Sequence, residues 1–180
     1  GTGLTPLRVL SNFIADANGI VVVSNSTLIA TNCIIGNSGA GNQMTVSAGG
    51  QVQSVNGYLG YSSSSSNNTV LVTDPNSFFG NQHLRVGGAG SGNRLVISSS
   101  GTVYDSDAYV GAGGSSNAVL VTDPFSYFGN EHLRVGSGGN GNSMVISNGG
   151  VAYDTDAYVG LGGSNNTVLV TDPDSFWGNW

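Results

Sequence analysis

The sequence predicts an all-β fold: a parallel β-helix (β-solenoid) of about seven coils, with 24–25 residues and three strands in each coil. Segments of the chain recur at a fixed interval, and each unit carries short apolar runs separated by Gly, Ser, Asn and Asp. No window shows the periodicity of a helix. Only 8% of the 180 residues are charged and 30 are Gly, but 38% are hydrophobic, which is enough apolar surface to form a core.

The repeat is clearest where residues 84–132 return from Leu133 onward, 49 residues later. Within this unit, Gly87 and Gly111 end similar triplets 24 residues apart, so the 49 residues form a double repeat. We interpret residues 1–180 as a single solenoid, with a divergent N-terminal coil at 1–32 and regular coils at 33–180. The triplets that mark the coils are Arg8-Val9-Leu10, Ile34-Ile35-Gly36, Tyr58-Leu59-Gly60, Arg85-Val86-Gly87, Tyr109-Val110-Gly111, Arg134-Val135-Gly136 and Tyr158-Val159-Gly160.

Each unit contains three apolar runs, for example residues 84–86, 95–97 and 102–104. Three strands in about 24 residues describe a triangular coil that stacks on its neighbours at roughly 4.8 Å. A β-propeller blade needs about 40–45 residues and four strands, and the strands of a β-sandwich do not repeat in sequence. The solenoid is therefore preferred to both.

Equivalent residues of successive coils are expected to stack in columns. One column predicts an Asn ladder, in which side-chain amides hydrogen-bond from coil to coil. Its members are Asn42, Asn68, Asn93, Asn117, Asn142 and Asn166. The middle residue of the second strand should point outward, since side chains alternate along a strand. That residue is apolar in most coils, which predicts an outer stripe for lateral assembly or for cover by a loop, consisting of Leu71, Val96, Leu120, Val145 and Leu169 after Thr45.

The first strand predicts an outward column in which Tyr and Arg alternate and form cation–π stacks. It contains Tyr58, Arg85, Tyr109, Arg134 and Tyr158, preceded by Arg8 and Ile34. A second column, at the end of the third strand, is aromatic and is expected to pack in the core or at a corner. Its members are Phe79, Tyr104, Phe128, Tyr153 and Trp177. Either column could instead form a platform for sugars.

The acidic residues suggest one weak cation site. We expect Asp105, Asp107, Glu131, Asp154 and Asp156 to meet at one corner, where Ca²⁺ could offset their repulsion; backbone donors or solvent exposure could do the same. No other cofactor is expected. His83 and His132 are interpreted as turn residues, and Cys33 as an inert buried thiol. Because no polar group breaks the repeat as an active site would, we expect no enzyme.

The charge balance excludes several classes of partner. The chain has four Arg, no Lys and a net charge of −6, which leaves no basic surface for nucleic acid. No window approaches 18 consecutive apolar residues, so no membrane span is predicted. The chain begins Gly1-Thr2-Gly3, which we interpret as a mature or trimmed product.

The phrases GNRLVISSSGTV, GNSMVISNGG, YVGAGGSSNAVLV and YVGLGGSNNTVLV lie within residues 30–180. They resemble the repeat family shared by type V autotransporter passengers and bacterial surface proteins with a PEP-CTERM sorting tail. The resemblance implies a β-solenoid that is secreted and displayed on or outside the cell.

The two ends of the chain predict head-to-tail assembly. The last repeat stops at Trp177-Gly178-Asn179-Trp180, where another strand is due, and the start offers Leu7-Arg8-Val9. Joining these segments would build a homopolymer, since an open strand edge recruits another chain. The leading hypothesis is a structural subunit of a secreted fibre or matrix. The alternative is a monomeric adhesin that binds polysaccharide. An ice-binding solenoid is disfavoured because only one hydroxyl column is present.

Overall fold

A computed structural model describes residues 7–179, without the side chains of Val9 and Leu10. These residues form sixteen strands and no helix. In chain order the strands are β1 (Leu7–Ala15), β2 (Ile20–Ser24), β3 (Thr27–Ile35), β4 (Gln43–Ser47), β5 (Gln51–Leu59), β6 (Thr69–Thr73), β7 (Phe78–Val86), β8 (Arg94–Ser98), β9 (Thr102–Val110), β10 (Ala118–Thr122), β11 (Tyr127–Val135), β12 (Ser143–Ser147), β13 (Val151–Asp154), β14 (Asp156–Val159), β15 (Thr167–Val170) and β16 (Phe176–Asn179).

The strands build two parallel sheets that run the length of the rod. The long sheet follows the order β1-β3-β5-β7-β9-β11-β13-β16, with β14 beside β11. The short sheet follows β15-β12-β10-β8-β6-β4-β2. Strands that are two apart in sequence are neighbours, or three apart after β13 and β14, so each turn of chain lies on the preceding one. The predicted parallel β-helix of about seven coils is confirmed.

Each coil has two strands where the sequence analysis expected three. The third apolar run of one coil and the first run of the next form one nine-residue strand such as β7. In this strand the inward residues are Phe79 and Asn81, then Leu84 and Val86, with both Gln82 and His83 directed away from the interior. The step of three between Asn81 and Leu84 marks a bend at which the strand changes the face it buries. Two strands can thus form three sides of a coil. At the bend the alternation of inward and outward side chains is interrupted, but the hydrogen-bonded pairing with the neighbouring strands continues.

The core is a column of apolar side chains, mostly aliphatic, enclosed by the two sheets. In the short strands the inward residues alternate with outward ones, as in β8, where Leu95 and Ile97 are fully buried on either side of the partly exposed Val96. Val170, in the equivalent inward position of the last short strand, is 41% exposed. It lies in β15, which has a neighbour on one side only.

The first coil has a different register from the one predicted. Leu7, Arg8 and Val9 pair with Leu28, Ile29 and Ala30, and residues further along β1 pair with Cys33 and Ile34. The residue in the column of Ile34 and Tyr58 is therefore Ile14, and the earlier placement of Arg8 there is wrong. The triplet count misplaced this coil because Arg8-Val9-Leu10 resembles the repeated triplets in sequence. It lies in the first half of β1, whereas the equivalent triplets lie at the end of the other long strands.

No helix in the described part of the chain is long and apolar enough to cross a membrane.

Candidate functional site

The Asn residues form a continuous ladder of side chains, all of them buried except the partly exposed Asn166 at its end. Asn42 Nδ2 donates to Asn68 Oδ1 at 2.8 Å, and Asn68 Nδ2 donates to Asn93 Oδ1 at 2.7 Å. The same contact continues to Asn117, Asn142 and Asn166 at 3.0–3.1 Å. Each oxygen also accepts the backbone N–H of the preceding Asn, for example Asn42 N at 2.9 Å. Each oxygen therefore satisfies two donors of the buried turn in the preceding coil, the backbone N–H and the side-chain amide of its Asn.

Glycine makes room for this ladder. Gly87 has a φ of +81°, and a Cβ placed on it would overlap the amide of Asn117, one coil further on. Gly60 and Asn93 are related in the same way, with a φ of +74° at the glycine. The recurring Gly at the end of each triplet therefore serves both the turn and the amide beside it.

The middle residues of the short strands form an outward stripe, here called the apolar stripe. It consists of Val22, Thr45, Leu71, Val96, Leu120, Val145 and Leu169, in register from β2 to β15. The two end residues, Val22 and Leu169, are 63% and 53% exposed, and the inner ones are partly exposed because each covers its neighbours. Val22 was missed by the sequence analysis because the divergent first coil hid its register.

The Arg/Tyr column is a stack of cations and rings. The Arg85 guanidinium lies 5.4 Å from the ring centroids of both Tyr58 and Tyr109. Arg134 lies 5.0 Å from Tyr109 and 5.9 Å from Tyr158. Each Arg also donates a hydrogen bond to the hydroxyl of the preceding Tyr, at 3.2 and 3.1 Å. The column thus combines cation–π contacts with hydrogen bonds between neighbouring coils.

The predicted aromatic column is two columns. Phe79 and Phe128 are fully buried and Trp177 packs against the core, in register with Val103 and Ala152. Tyr104 and Tyr153 lie one position later and face outward, so their assignment to the same column is wrong. Adjacent strand positions face opposite sides, and only the pairing register shows which residues share a column.

The outward tyrosines belong to an exposed aromatic row that the sequence analysis missed. The row zigzags through two neighbouring columns and contains Phe78, Tyr104, Tyr127, Tyr153 and Phe176. The ring centroids of Tyr153 and Phe176 are 5.2 Å apart, and those of Tyr127 and Tyr153 are 6.3 Å apart. Glycine alternates with tyrosine in one of the two columns, and a Cβ on Gly80, Gly129 or Gly178 would strike a ring of the row. The available signal was that Gly stands two residues after Phe or Tyr in one coil, whereas Tyr stands two residues after Thr or Val in the next.

His83 and His132 lie in strands, so their interpretation as turn residues is wrong. They alternate with acids in one outward column, where His83 Nδ1 is 2.9 Å from Asp107 Oδ2 and His132 Nδ1 is 3.3 Å from Asp156 Oδ2. Arg134 Nη1 is 3.6 Å from the other oxygen of Asp107. These carboxylates therefore face cationic or hydrogen-bonding partners, which offsets the repulsion that the sequence suggested.

The five acids proposed for Ca²⁺ do not meet. Asp105 and Asp154 are fully buried inside the rod, whereas Asp107 and Asp156 are on the outer face and Glu131 is exposed at the bend between them. Residues 7–179 contain no group of three or more His, Cys, Asp and Glu side chains arranged for a metal ion. The bend in the long strand turns Asp105 inward and Asp107 outward. Counting positions along the repeat does not reveal this bend.

Cys33 is 1% exposed and packs in the core. Burial raises the pKa of its thiol to about 12. It shares its column with Phe13 and Gly57.

The residues proposed as assembly ends have distinct surroundings. Leu7 is 59% exposed and lines an apolar opening with Phe13 and Leu28, and Arg8 is exposed. The Trp177 indole Nε1 donates to Asp154 Oδ2 at 2.6 Å. Trp180 and the side chain of Val9 lie outside the described residues. Leu7 and Trp177 occupy the same column, since both align with Val52 and Phe128, so Leu7-Arg8-Val9 is not the segment that would follow Asn179 in the coil.

Comparison with protein-family models, with curated proteins and with solved structures gave no match to this chain.

Proposed function

We propose that this chain is a structural subunit of a secreted fibre or matrix, which associates with copies of itself side by side through the apolar stripe. The observation that carries the proposal is the stripe itself. Six of its seven residues are apolar, and five of them, from Leu71 to Leu169, follow one another without interruption along the outer face of the short sheet. Contiguous apolar surfaces of this kind are typical of interaction sites in soluble proteins.

The energetics favour lateral association that grows with rod length. A partner that hides about 60 Å² of each side chain contributes on the order of 1.5 kcal/mol per residue, at about 25 cal/mol/Å². Because the side chains stand in register at the spacing of the coils, a second copy can present the same ladder to them. A self-complementary ladder lets every added coil increase the contact, which suits a fibre.

Growth along the axis is the second part of the proposal. The outer edges of β1 and β16 have no partner among the described residues. Unpaired strand edges are templates for pairing with another chain. The register indicates that β1 of a second copy would stack on β16, with Leu7 over Trp177. This differs from the sequence prediction, in which residues 7–9 would continue the last coil in line. Secretion and display outside the cell are supported by the repeat resemblance alone.

The experiment compares the assembly of the wild-type protein with that of stripe variants, using electron microscopy and analytical ultracentrifugation over a range of concentrations. We expect the wild type to form bundled filaments, and L120T with V145T to remain as single thin rods. V55T is the matched control, because Val55 is also exposed and apolar but lies on the long sheet. Wild-type protein that stays monomeric at every concentration would contradict the proposal.

The exposed aromatic row supports a second candidate, a polysaccharide-binding adhesin. Five rings on one outer face could stack on sugar rings along an extended glycan. Co-sedimentation with insoluble cellulose and chitin tests it. Retention that is lost in Y153A but kept in Y158A, a tyrosine of the Arg/Tyr column, would favour the adhesin over the fibre, provided that the wild type forms no filaments. Absence of retention on both polymers would count against it.

A further inference from the structure

One inward column of the long sheet is polar. Ser54, Asn81, Asp105 and Asn130 follow one another in register, and Asp154 lies over Asn130 as the residue after Tyr153. Asp105 and Asp154 have no exposed surface and Asn130 is 2% exposed. Buried carboxyl groups require partners for their oxygens, since desolvation disfavours a bare charge.

Hydrogen bonds enter this column from both ends. Ser54 Oγ donates to Asn81 Oδ1 at 2.6 Å, and Asn81 Nδ2 donates to Asp105 Oδ1 at 2.8 Å. From the other end, Trp177 Nε1 donates to Asp154 Oδ2 at 2.6 Å. Between them, four buried atoms have no hydrogen-bond partner: Asp105 Oδ2, Asn130 Oδ1, Asn130 Nδ2 and Asp154 Oδ1. The unpartnered atoms are therefore consecutive along the column.

The chemistry of an amide accounts for two of these four atoms, because Asn130 Nδ2 can donate to one carboxylate once its side chain turns, without any added proton. Asn130 has one donor group and one acceptor, so between two carboxylates it can donate to one but must turn its oxygen toward the other. Two facing oxygens repel unless one carries hydrogen. A single proton on one carboxyl group completes the chain of hydrogen bonds, whichever way the amide is turned.

We propose that Asp105 retains its proton when the solvent is neutral and donates it to Asn130 Oδ1, while Asn130 Nδ2 donates to Asp154 Oδ1. Every polar atom from Ser54 to Trp177 then has a partner. Asp154 then accepts two hydrogen bonds; burial raises the pKa of this carboxyl too, and the hydrogen bond from Trp177 opposes the shift. The inference concerns the interior of the rod and is independent of the proposed assembly on its outer faces.

The surroundings of Asp105 favour protonation there. The inward residues of β8 and β10 are Leu95, Ile97, Val119 and Val121, all apolar. On β9 itself, Asp107 is turned outward to His83 and Arg134, and the inward neighbours from β7 and β11 are the amides Asn81 and Asn130. Asp154 is the remaining acid in the column, one coil beyond Asn130. Burial raises the pKa of Asp105 well above its usual 3.8, although the hydrogen bond from Asn81 opposes the shift.

The consequence is a stability that falls as pH rises. Above about pH 4 the unfolded chain releases this proton, but the folded chain keeps it. The folded state thus binds more protons, and the unfolding equilibrium constant should increase by up to about tenfold per pH unit until Asp105 ionises in the fold.

Denaturant unfolding at pH 5, 6, 7 and 8 tests the proposal with D105N, which replaces the acid by a neutral amide of the same shape. We expect the unfolding equilibrium constant of the wild type to rise more steeply with pH than that of D105N, by up to about tenfold per unit. The contribution of Asp154 is common to both proteins. D174N is the matched control, because Asp174 is exposed in a turn, and it should follow the wild type. Equal pH dependence in D105N and the wild type would overturn the proposal.

Infrared spectroscopy gives a direct readout that does not require the variant to fold. Wild-type protein labelled with ¹³C at the Asp carboxyls should show the band of a protonated carboxylic acid at pH 7. Its absence at pH 7 would overturn the proposal. The unfolding series is repeated with Ca²⁺, with Na⁺ and with chelator, and stabilisation by either ion in the wild type but not in D105N would show that a cation, and not a proton, closes the column.

Discussion

Asn117 Oδ1 accepts two hydrogen bonds from Asn93, one from the side-chain Nδ2 at 3.0 Å and one from the backbone N–H at 2.9 Å. Both residues are fully buried. One carbonyl oxygen therefore joins the turn of one coil to the turn of the next, and the same unit is repeated along the rod.

N117A tests the contribution of this contact. The substitution removes the acceptor of both Asn93 groups and leaves two buried donors without a partner. Since each unsatisfied buried group costs about 1–3 kcal/mol, we expect the free energy of unfolding to fall by at least about 2 kcal/mol, as measured by denaturant titration. N12A is the control, because Asn12 also accepts an amide hydrogen bond, from Asn32, but is exposed. Comparable losses in the two variants would mean that burial does not set the strength of the ladder.

R134K tests the Arg/Tyr column. Lysine keeps the charge but lacks the planar guanidinium that lies between Tyr109 and Tyr158. At about 0.5–1 kcal/mol for each of two exposed stacks, the loss should be about 1–2 kcal/mol in the free energy of unfolding. R94K, at the exposed start of β8, should change it by less than about 0.5 kcal/mol. If both variants are equally stable, charge alone accounts for the role of Arg134.

G129A tests the packing of the exposed aromatic row. An added Cβ would lie 2.6 Å from the Tyr127 ring and 2.8 Å from the Tyr104 ring, so the rings must move. We expect a loss of about 1–3 kcal/mol together with a change in the near-ultraviolet circular dichroism of tyrosine. G88A serves for comparison, since its nearest contacts would be at 3.3 Å. An unchanged tyrosine signal in G129A would show that the rings do not depend on this glycine.

Cys33 gives a probe of global unfolding. Because burial raises the pKa of its thiol to about 12, little thiolate forms at pH 8 in the fold. We expect a thiol reagent to modify the native protein slowly and the guanidinium-unfolded protein within the mixing time. Fast modification of the native protein would mean that the core opens locally around β3.

The sequence alone determined the coil. The 49-residue double repeat, the position of each Asn in the ladder and the outward middle residue of each short strand follow from repetition and alternation, which are local properties. The stacking of Arg85 between Tyr58 and Tyr109 followed as well, since residues one coil apart must be neighbours in a solenoid.

Only the tertiary structure decided what depends on the bend in the long strand and on register. The bend sends Asp105 inward and Asp107 outward, although they are two residues apart, and this separates the acids expected to bind Ca²⁺. The strand register places Ile14 over Ile34, where Arg8 was expected. It also divides the aromatic residues between the core and the outer face. A shift of one residue exchanges the buried and exposed faces of a strand, and the energy that selects one register comes from packing across coils, which no single segment contains.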